Sequence, residues 1–250
     1  MTATENICEL QEENARLREA LRQRDVFIRE TFGRYLTDEV LDEILSHQDA
    51  PAIGGERRVV SILFSDLRRS TELSEQMDAA DFIRMLNHYF AEMIEIINAW
   101  QGNILEFVGD AIVAVFGAPR ENETAARDAA ACAVAMQRRM AAVNAWNREQ
   151  SFPEIAMGIS LHTGEAILGS IGSETRMKYD MIGRNVNLAS RVQGYTVGGQ
   201  ILATDEFLTA AGDQVKVSEE NTRWVTPKGI KGQIRLHSIT GFGKQRTGGK

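Results

Sequence analysis

The chain has 250 residues, of which 43% are hydrophobic and 25% are charged, and its formal net charge is -7. This composition is ordinary for a globular protein, and the negative charge argues against nucleic acid as a main partner. No apolar run approaches the roughly 20 residues that a bilayer-spanning helix needs, and no signal-peptide pattern opens the chain. The two cysteines, Cys8 and Cys132, match no metal-binding spacing, which favours a reducing, cytoplasmic location.

Residues 1–31 follow a heptad pattern that is typical of a parallel dimeric coiled coil. The a positions are Ile7, Asn14, Leu21 and Ile28, and the d positions are Leu10, Leu17, Arg24 and Thr31. An Asn at position a favours a two-stranded register because two Asn side chains pair across the seam. About three heptads are marginal alone, so we expect the rest of the chain to help hold the dimer. The alternative is an isolated amphipathic helix packed on its own domain.

Residues 32–56 are predicted to form a short helix and then a linker. Thr37 is a candidate N-cap, and the apolar stripe after it consists of Val40, Leu41, Ile44 and Leu45. Pro51, Gly54 and Gly55 indicate the linker. A linker here would transmit motion from the coil to the strand that begins near residue 59, so an upstream regulatory protein or domain is a possible partner.

A strand that turns into a helix is predicted for VVSILFSDLRRST, residues 59–71. The β-branched and aromatic run from Val59 to Phe64 predicts a buried strand. Backbone N–H groups of a strand-to-helix turn can bind phosphate oxygens. Asp66, at the end of the strand, is either a helix cap or a ligand to a divalent cation.

A predicted hairpin occupies residues 103–119, NILEFVGDAIVAVFGAP, after a long amphipathic helix over residues 79–100. Side-chain alternation places Ile104, Glu106 and Val108 on one face of its first strand, and Leu105 and Phe107 on the other. Asp110 lies at the tip, where a carboxylate suits a hard cation, although Gly109-Asp110 is also an ordinary turn pair. Together with Asp66 it makes a two-metal, phosphoryl-type site physically reasonable.

The remaining elements predict an α+β fold with helices on a mostly antiparallel sheet. A second long helix covers residues 121–146, and strands over 155–162 and 164–169 are separated by a turn at His162-Thr163-Gly164. In YDMIGRNVNLASR, residues 179–191, Asn187 and Arg191 lie four apart and therefore on one face of a helix. That face is either functional or simply exposed. The C-terminal part is predicted as strand 200–203, helix 205–211, strands 215–225 and 233–239, and a disordered tail over residues 242–250.

In order and spacing, FSDLRRST, EFVGDAIVAVFG and YDMIGRNVNLASR resemble the catalytic domain of the class III nucleotide cyclases, the adenylyl and guanylyl cyclases. The resemblance covers roughly residues 57–241. It implies a ferredoxin-like, palm-type antiparallel sheet with packed helices. It also implies a homodimer that converts a nucleoside triphosphate to a 3′,5′-cyclic monophosphate and pyrophosphate with two Mg²⁺ or Mn²⁺ ions.

The resemblance also assigns roles to individual residues. Asp66 and Asp110 match the two metal-binding aspartates. Asn187 and Arg191 match the pair that orients the ribose and stabilises the pentavalent phosphate. Glu106 and Asp180 fall on the two positions that read the base. Phosphate binding is expected from Leu67, Arg68, Arg69, Ser70 and Thr71, and from either Lys228 or Lys231.

The base-reading pair departs from the family pattern. Adenylyl cyclases usually carry Lys at the position of Glu106, and guanylyl cyclases usually carry Glu there. Asp180 can accept from the exocyclic amine of adenine, whereas Glu106 can accept from N1–H and N2–H₂ of guanine. Family frequency and Asp180 favour ATP, with GTP close behind and a pyrimidine still open.

The competing function is a catalytically inactive nucleotide-binding module. A module that had lost catalysis should lack at least one of Asp66, Asp110, Asn187 and Arg191. This chain keeps all four, which favours the enzyme.

Overall fold

A computed structural model describes residues 3–33, 40–42, 54–230 and 232–247. The chain divides into two compact units, Met1–Pro51 and Ala52–Lys250. In the first unit, helix α1 covers Ala3–Phe32, which confirms the predicted helix. Leu17 and Leu21, on the predicted seam, are 59% and 50% exposed, and the coiled coil itself stays a prediction.

The predicted second helix of this unit is described only over residues 40–42, which are helical. Val40 and Leu41 are buried, and Asp42 Oδ1 forms an ion pair with Arg29 Nη2 at 2.8 Å. The other residues of that helix and its linker, namely Thr37, Ile44, Leu45 and Pro51, lie outside the described residues.

The second unit alternates strands and helices along the chain. Its elements are β1 (Gly54–Leu67), α2 (Ser70–Gln76), α3 (Ala79–Ala99), β2 (Asn103–Val108), β3 (Ala111–Phe116), α4 (Ala125–Glu149), β4 (Met157–Ser173), β5 (Arg176–Ile182), α5 (Arg184–Gln193), β6 (Ile201–Thr204), α6 (Asp205–Ala211), β7 (Val215–Val225), β8 (Ile234–Phe242) and β9 (Gln245–Arg246). Both long helices and the C-terminal strands therefore form close to where the sequence predicts them.

One sheet organises this unit. Its strand order is β2-β3-β1-β4-β6-β8-β7, with β5 paired to β4 and β9 paired to β8. The β4–β6 pair is parallel and the other pairs are antiparallel. Helices α3, α4 and α6 pack on one face of the sheet, and α5 packs on the other. The predicted α+β fold with helices on a mostly antiparallel sheet is confirmed.

The strand β4 corrects two predictions. It runs without interruption through His162-Thr163-Gly164, so the predicted turn is absent from this strand. Its residues 157–170 pair with β1, which begins at Gly54 rather than after a linker. Gly55, one of the glycines that suggested a linker, instead allows close contact, since a Cβ there would lie 2.9 Å from the carbonyl oxygen of Leu168.

A β-bulge in the hairpin corrects the predicted alternation of side chains. The register of β2 against β3 shifts between Ile104 and Glu106. Ile104 packs against the core under α3, Leu105 packs on the opposite face, and Phe107 contacts Phe90 of α3 with ring centroids 4.8 Å apart. The extra residue therefore returns Phe107 to the face of Ile104 and leaves Glu106 on the other face.

The C-terminal end is more ordered than the sequence suggests. Strand β9 pairs with β8 through Gly241–Arg246 and Phe242–Gln245, and Thr247 N–H donates to the carbonyl oxygen of Thr240 at 2.9 Å. The predicted disordered tail is therefore wrong over residues 242–247, while residues 248–250 lie outside the described part of the chain.

Across the described segments, every helix is too short or too polar to traverse a lipid bilayer.

Two glycines near one end of the β1–β4 pair offer a matched test of this packing. A Cβ on Gly169 would lie 2.1 Å from the carbonyl oxygen of Gly54, whereas a Cβ on Gly54 itself meets open space. Gly169→Ala should lower the free energy of unfolding in urea by about 2 to 3 kcal/mol, because the backbones must separate. Gly54→Ala should stay within about 0.5 kcal/mol of the wild type. Equal stability of the two variants would contradict this register.

Candidate functional site

The two aspartates predicted to bind metal come together where β1 ends beside the β2–β3 hairpin. Asp66 is the penultimate residue of β1, and Asp110 lies in the hairpin turn after Gly109, whose φ of 64° suits glycine. Because β1 pairs with β3, the hairpin tip lies next to the end of β1. Asp110 Oδ2 accepts a hydrogen bond from Leu67 N–H at 2.9 Å, which fixes the Asp110 carboxylate beside Asp66.

The carboxylates of Asp66 and Asp110 are close enough for the charge of one to affect the pKa of the other. Burial raises the pKa of Asp66, the Arg68 guanidinium opposes that shift, and the charge of Asp110 adds to it. Tyr89 of α3 lies under the pair, and its buried hydroxyl donates to Met157 Sδ at 3.2 Å. Burial, with the charges of Asp110 and Asp66, raises the pKa of Tyr89, so its hydroxyl remains protonated.

The predicted phosphate-binding turn is only partly available. Leu67 N–H is taken by Asp110, and Arg68 N–H donates to the carbonyl oxygen of Ala156 at 2.7 Å. The Arg68 side chain pairs with Asp66, and Arg69, at φ 64°, pairs with Glu72. Ser70 and Thr71 open α2, where the first N–H groups of a helix have no intrahelical acceptor. The backbone at residues 70 and 71 therefore fits a phosphate better than that at residues 67 and 68.

The two predicted base-reading residues meet through a lysine that sequence reasoning missed. Lys178 Nζ lies 2.5 Å from Glu106 Oε2 and 3.0 Å from Asp180 Oδ2. Burial alone would lower the pKa of Lys178, but Glu106 and Asp180 together raise it, so the ammonium stays charged. Asp180 Oδ1 also accepts from Met181 N–H at 2.8 Å. A donor therefore stands between the two carboxylates.

Lys178 was detectable only in part from sequence. It lies two residues before Asp180, and residues two apart on a strand share a face. Strand β5, which carries both, was not predicted, and the contact with Glu106 spans 72 positions of the chain. The sequence therefore showed Lys178 two residues before Asp180, but it did not predict strand β5, which places both side chains on one face.

The predicted catalytic pair lies on α5. Asn187 and Arg191 are exposed, while Leu188, Ala189 and Val192 between and beside them are buried. The helix thus buries one side on the sheet and presents Asn187 and Arg191 on the other, as the four-residue spacing predicts.

The predicted phosphate-binding lysines belong to the loop between β7 and β8. Lys228 is exposed, and Ile230, two residues later, packs against the cluster that contains Leu188 and Val192 of α5. Tyr195 Oη anchors the same loop by donating to the carbonyl oxygen of Thr226 at 3.1 Å. Lys228 is therefore held next to α5, while Lys231 lies outside the described residues.

The structure brings Asp66 and Asp110 together with the turn into α2, and it brings Glu106 and Asp180 together through Lys178. Asn187 and Arg191 lie on α5, next to the loop that carries Lys228. Within residues 54–230 and 232–247, no hydrogen bond or ion pair joins the aspartate pair to Asn187 or Arg191. Within these residues the aspartate pair and the two α5 residues therefore share no direct polar contact.

The aspartate pair fits divalent cations of the Mg²⁺ class. Its donors are hard carboxylate oxygens, and the charge of Asp110 raises the pKa of Asp66, a repulsion that a cation would relieve. In the part of the chain that the structure describes, His, Cys, Asp and Glu form no group of three or more that could hold a metal. Mg²⁺ sites that use one or two carboxylates plus substrate phosphates and water have this composition.

Comparison with known proteins places these features in a family. The profile of the adenylate and guanylate cyclase catalytic domain matches residues 55–241. The crystal structure of the guanylyl cyclase Cya2 is similar, with a TM-score of 0.75 and 40% identity, over 78% of this chain and 100% of that one. The adenylyl cyclase CyaB from P. aeruginosa superposes with a TM-score of 0.73 and 29% identity, over 79% of this chain and 100% of that one.

Among curated relatives, adenylate cyclase 1 of Rhizobium meliloti is 29% identical over 213 residues. That match covers 84% of this chain but only 32% of the relative's length. An uncharacterized protein of Mycobacterium tuberculosis is 32% identical over 92% of this chain and 39% of its own length.

Metal binding to the aspartate pair has a test that needs no turnover. At ten times the dissociation constant, Mn²⁺ should stabilise the protein by about 1.4 kcal/mol and raise its melting temperature by roughly 3 to 6 °C. Asp110→Asn keeps an oxygen for Leu67 N–H but loses the charge, so the rise should disappear. Asp213→Asn, on an exposed residue, should retain it. An unchanged rise in Asp110→Asn would contradict the site.

Proposed function

Since the chain belongs to the family of adenylate and guanylate cyclase catalytic domains, we propose that it cyclises a purine nucleoside triphosphate as a homodimer. The product is the 3′,5′-cyclic monophosphate, with pyrophosphate as the leaving group, which makes the reaction one of intracellular signalling. The observation that carries this proposal is the approach of Asp66 and Asp110 at the end of β1. A cytoplasmic location, expected from the cysteine usage, is part of the proposal.

The reaction is an in-line displacement at the α-phosphorus. The ribose 3′-oxygen forms a bond to that phosphorus, the bond to the bridging oxygen of pyrophosphate breaks, and the hydroxyl proton is released. Two Mg²⁺ or Mn²⁺ ions, when bound to Asp66 and Asp110, supply charge neutralisation and ease the loss of that proton. Arg191 donates to the α-phosphate oxygens on which charge develops, and Asn187 orients the ribose. Lys228 and the first N–H groups of α2 bind the remaining phosphates.

A site shared between two chains is supported by the lack, within residues 54–230 and 232–247, of any hydrogen bond or ion pair between the aspartate pair and Asn187 or Arg191. Asp66 and Asp110 of one protomer would face Asn187 and Arg191 of the partner subunit, so that two identical chains form two equivalent sites. A monomer would then hold two half-sites and no complete one.

The sheet offers an apolar face for a second copy. Val59, Ile167 and Ile182 are 71%, 40% and 52% exposed. The strand registers place the three on one face, because Ile167 pairs with Ile182 on one side and with Arg57, two residues before Val59, on the other. An apolar patch on adjacent strands is a typical protein-binding surface. Leu17 and Leu21 of α1 are also exposed, at predicted coiled-coil positions. They too favour a second copy of this chain as the partner.

Lys178 changes the balance between the two purines. The sequence favoured ATP on family frequency and on Asp180, which can accept from the exocyclic amine of adenine but has no hydrogen to donate to guanine O6. Lys178 supplies that donor, while Glu106 accepts from N1–H and N2–H₂ of the same base. Both oxygens of Asp180 already accept hydrogen bonds, from Met181 N–H and Lys178, whereas Glu106 uses only Oε2. We therefore propose GTP as the preferred substrate, in line with the 40% identity to a guanylyl cyclase.

The substrate prediction is checked by turnover of GTP, ATP, CTP and UTP with Mn²⁺, with cyclic products separated by mass. We expect the highest kcat/KM for GTP. Lys178→Met should lower kcat/KM for GTP about 10- to 100-fold, because guanine O6 loses its donor, while Lys178→Arg should stay within about threefold. Preference of the wild type for ATP would overturn the guanine assignment but not the cyclase. Absence of every cyclic product from a folded dimer would favour a nucleotide-binding module.

The shared site predicts complementation between two inactive variants. Asp110→Asn and Arg191→Ala should each lose at least about 100-fold in kcat, because each removes transition-state charge stabilisation. After the two are denatured together and refolded, half of the dimers are mixed and each mixed dimer has one intact site. Activity should then return to about a quarter of the wild-type value. No recovery in mixtures that contain mixed dimers would contradict a site between chains.

A further inference from the structure

Helix α5 is fixed along β4 by polar side chains as well as by its apolar side. Near its start, Asn185 Nδ2 donates to the carbonyl oxygen of Glu165 at 2.8 Å. In its middle, Ser160 Oγ donates to the carbonyl oxygen of Ala189 at 3.0 Å. At its end, Gln193 Nε2 donates to the carbonyl oxygen of Gly158 at 2.9 Å. These contacts set where the helix lies along the strand.

The first turn of α5 depends most on its polar contact. It begins after Gly183, at φ 151°, and the N-cap has no side-chain hydrogen bond. Asn185 instead fills a space that β4 leaves open at Gly164, where a Cβ would lie 2.5 Å from Asn185 Cγ. Residues 162–164, predicted as a turn, are therefore part of strand β4, and Gly164 leaves room for the Asn185 side chain of α5.

The buried His162 completes this contact. Its Nε2 lies 3.2 Å from Asn185 Oδ1, and its Nδ1 lies 2.8 Å from Thr204 Oγ1. Because Asn185 Nδ2 donates to a carbonyl, Oδ1 is the atom that faces His162, so Nε2 carries the proton. Nδ1 then accepts from the Thr204 hydroxyl, which itself accepts from Phe207 N–H at 3.4 Å. All the hydrogen bonds run in one direction, from the start of α6 to the start of α5.

In this arrangement the imidazole is neutral, with its one ring proton on Nε2 and with Nδ1 as the acceptor from the Thr204 hydroxyl. Burial lowers the pKa of His162, whereas the Asn185 contact and Glu206 raise it, and the net shift is downward. Glu206 Oε2 is 3.9 Å from Nδ1, but its side chain is 62% exposed, so its influence is screened by solvent.

We propose that His162 is a positioning residue, which fixes Asn185 and thereby the direction in which Asn187 and Arg191 leave the first turns of α5. The inference rests on the proposed function, because it assigns a role to the helix that carries the catalytic pair. Asn187 is two residues from Asn185, so a shift of the first turn moves it directly. A misplacement of about 1 Å at a reacting centre costs up to about 100-fold in rate.

Two substitutions at His162 separate its two contacts. The amide of Gln reaches as far as Nε2, so His162→Gln retains a donor to Asn185. The shorter amide of Asn matches Nδ1, so His162→Asn retains only the contact with Thr204. We expect His162→Asn to lower kcat about 10- to 100-fold with KM within about threefold, and His162→Gln to stay within about threefold of wild type in both.

Two more variants distinguish the loss of the His162–Asn185 contact from a general disturbance of α5. Asn185→Ala leaves His162 in place and should repeat the kcat loss of His162→Asn. Gln193→Met removes the polar contact at the other end of the same helix and should leave kcat within about threefold. Equal loss in His162→Gln and His162→Asn, or a normal kcat in folded His162→Asn, would overturn the proposal.

Hydrogen exchange gives a readout that does not depend on turnover. The amides of Arg184–Gln193 should exchange about 10-fold faster in His162→Asn and Asn185→Ala than in wild type, and at the wild-type rate in His162→Gln. If neither the wild type nor any variant forms a cyclic product but the exchange rates follow this pattern, the positioning role stands and the proposed function fails. If wild type is active and exchange is the same in all variants, the positioning role fails alone.

Discussion

The antiparallel pairing of β1 with β4 is the constraint on which the rest of the second unit depends. Every residue of β1, from Gly54 to Leu67, has a partner on β4. One end of this ladder places Asp66 beside the hairpin tip, and its middle carries His162 against the start of α5. The other end closes only because glycines at positions 55 and 169 let the two backbones approach. A shift of one residue would move every side chain of β4 to the opposite face.

The candidate site combines acids that repel one another with a basic side chain beside each pair. Arg68 pairs with Asp66, two residues earlier, and Lys178 pairs with Asp180, two residues later. Two carboxylates held close in a partly buried place are costly unless a positive charge is near. The chain therefore prepares each acidic pair for a positively charged or hydrogen-bond-donating ligand. On the proposed function, such a ligand would be a divalent cation at the aspartate pair and the edge of a base at Glu106 and Asp180.

Much of the fold and of the site can be predicted from short-range pattern. The hairpin with Asp110, the two long helices and the four-residue spacing of Asn187 and Arg191 need only local periodicity and turn chemistry. Local pattern failed where tertiary contacts decide the conformation. His162, Thr163 and Gly164 look like a turn because they are polar and small, yet His162 and Thr163 are buried in β4 with hydrogen-bond partners. The bulge at Leu105 likewise reverses a face that simple alternation predicts.

The sequence by itself determined the α+β class and the resemblance to the cyclases, because those signals lie in stretches of a few residues. By the same signals it predicted Asp66, Asp110, Asn187 and Arg191 as site residues. Only the tertiary structure decided that Lys178 joins Glu106 to Asp180, that Leu67 N–H holds Asp110, and that His162 reaches Asn185. These contacts join residues far apart in the chain through the registers of neighbouring strands. Register is set by the packing of the whole sheet, and no local stretch of sequence contains it.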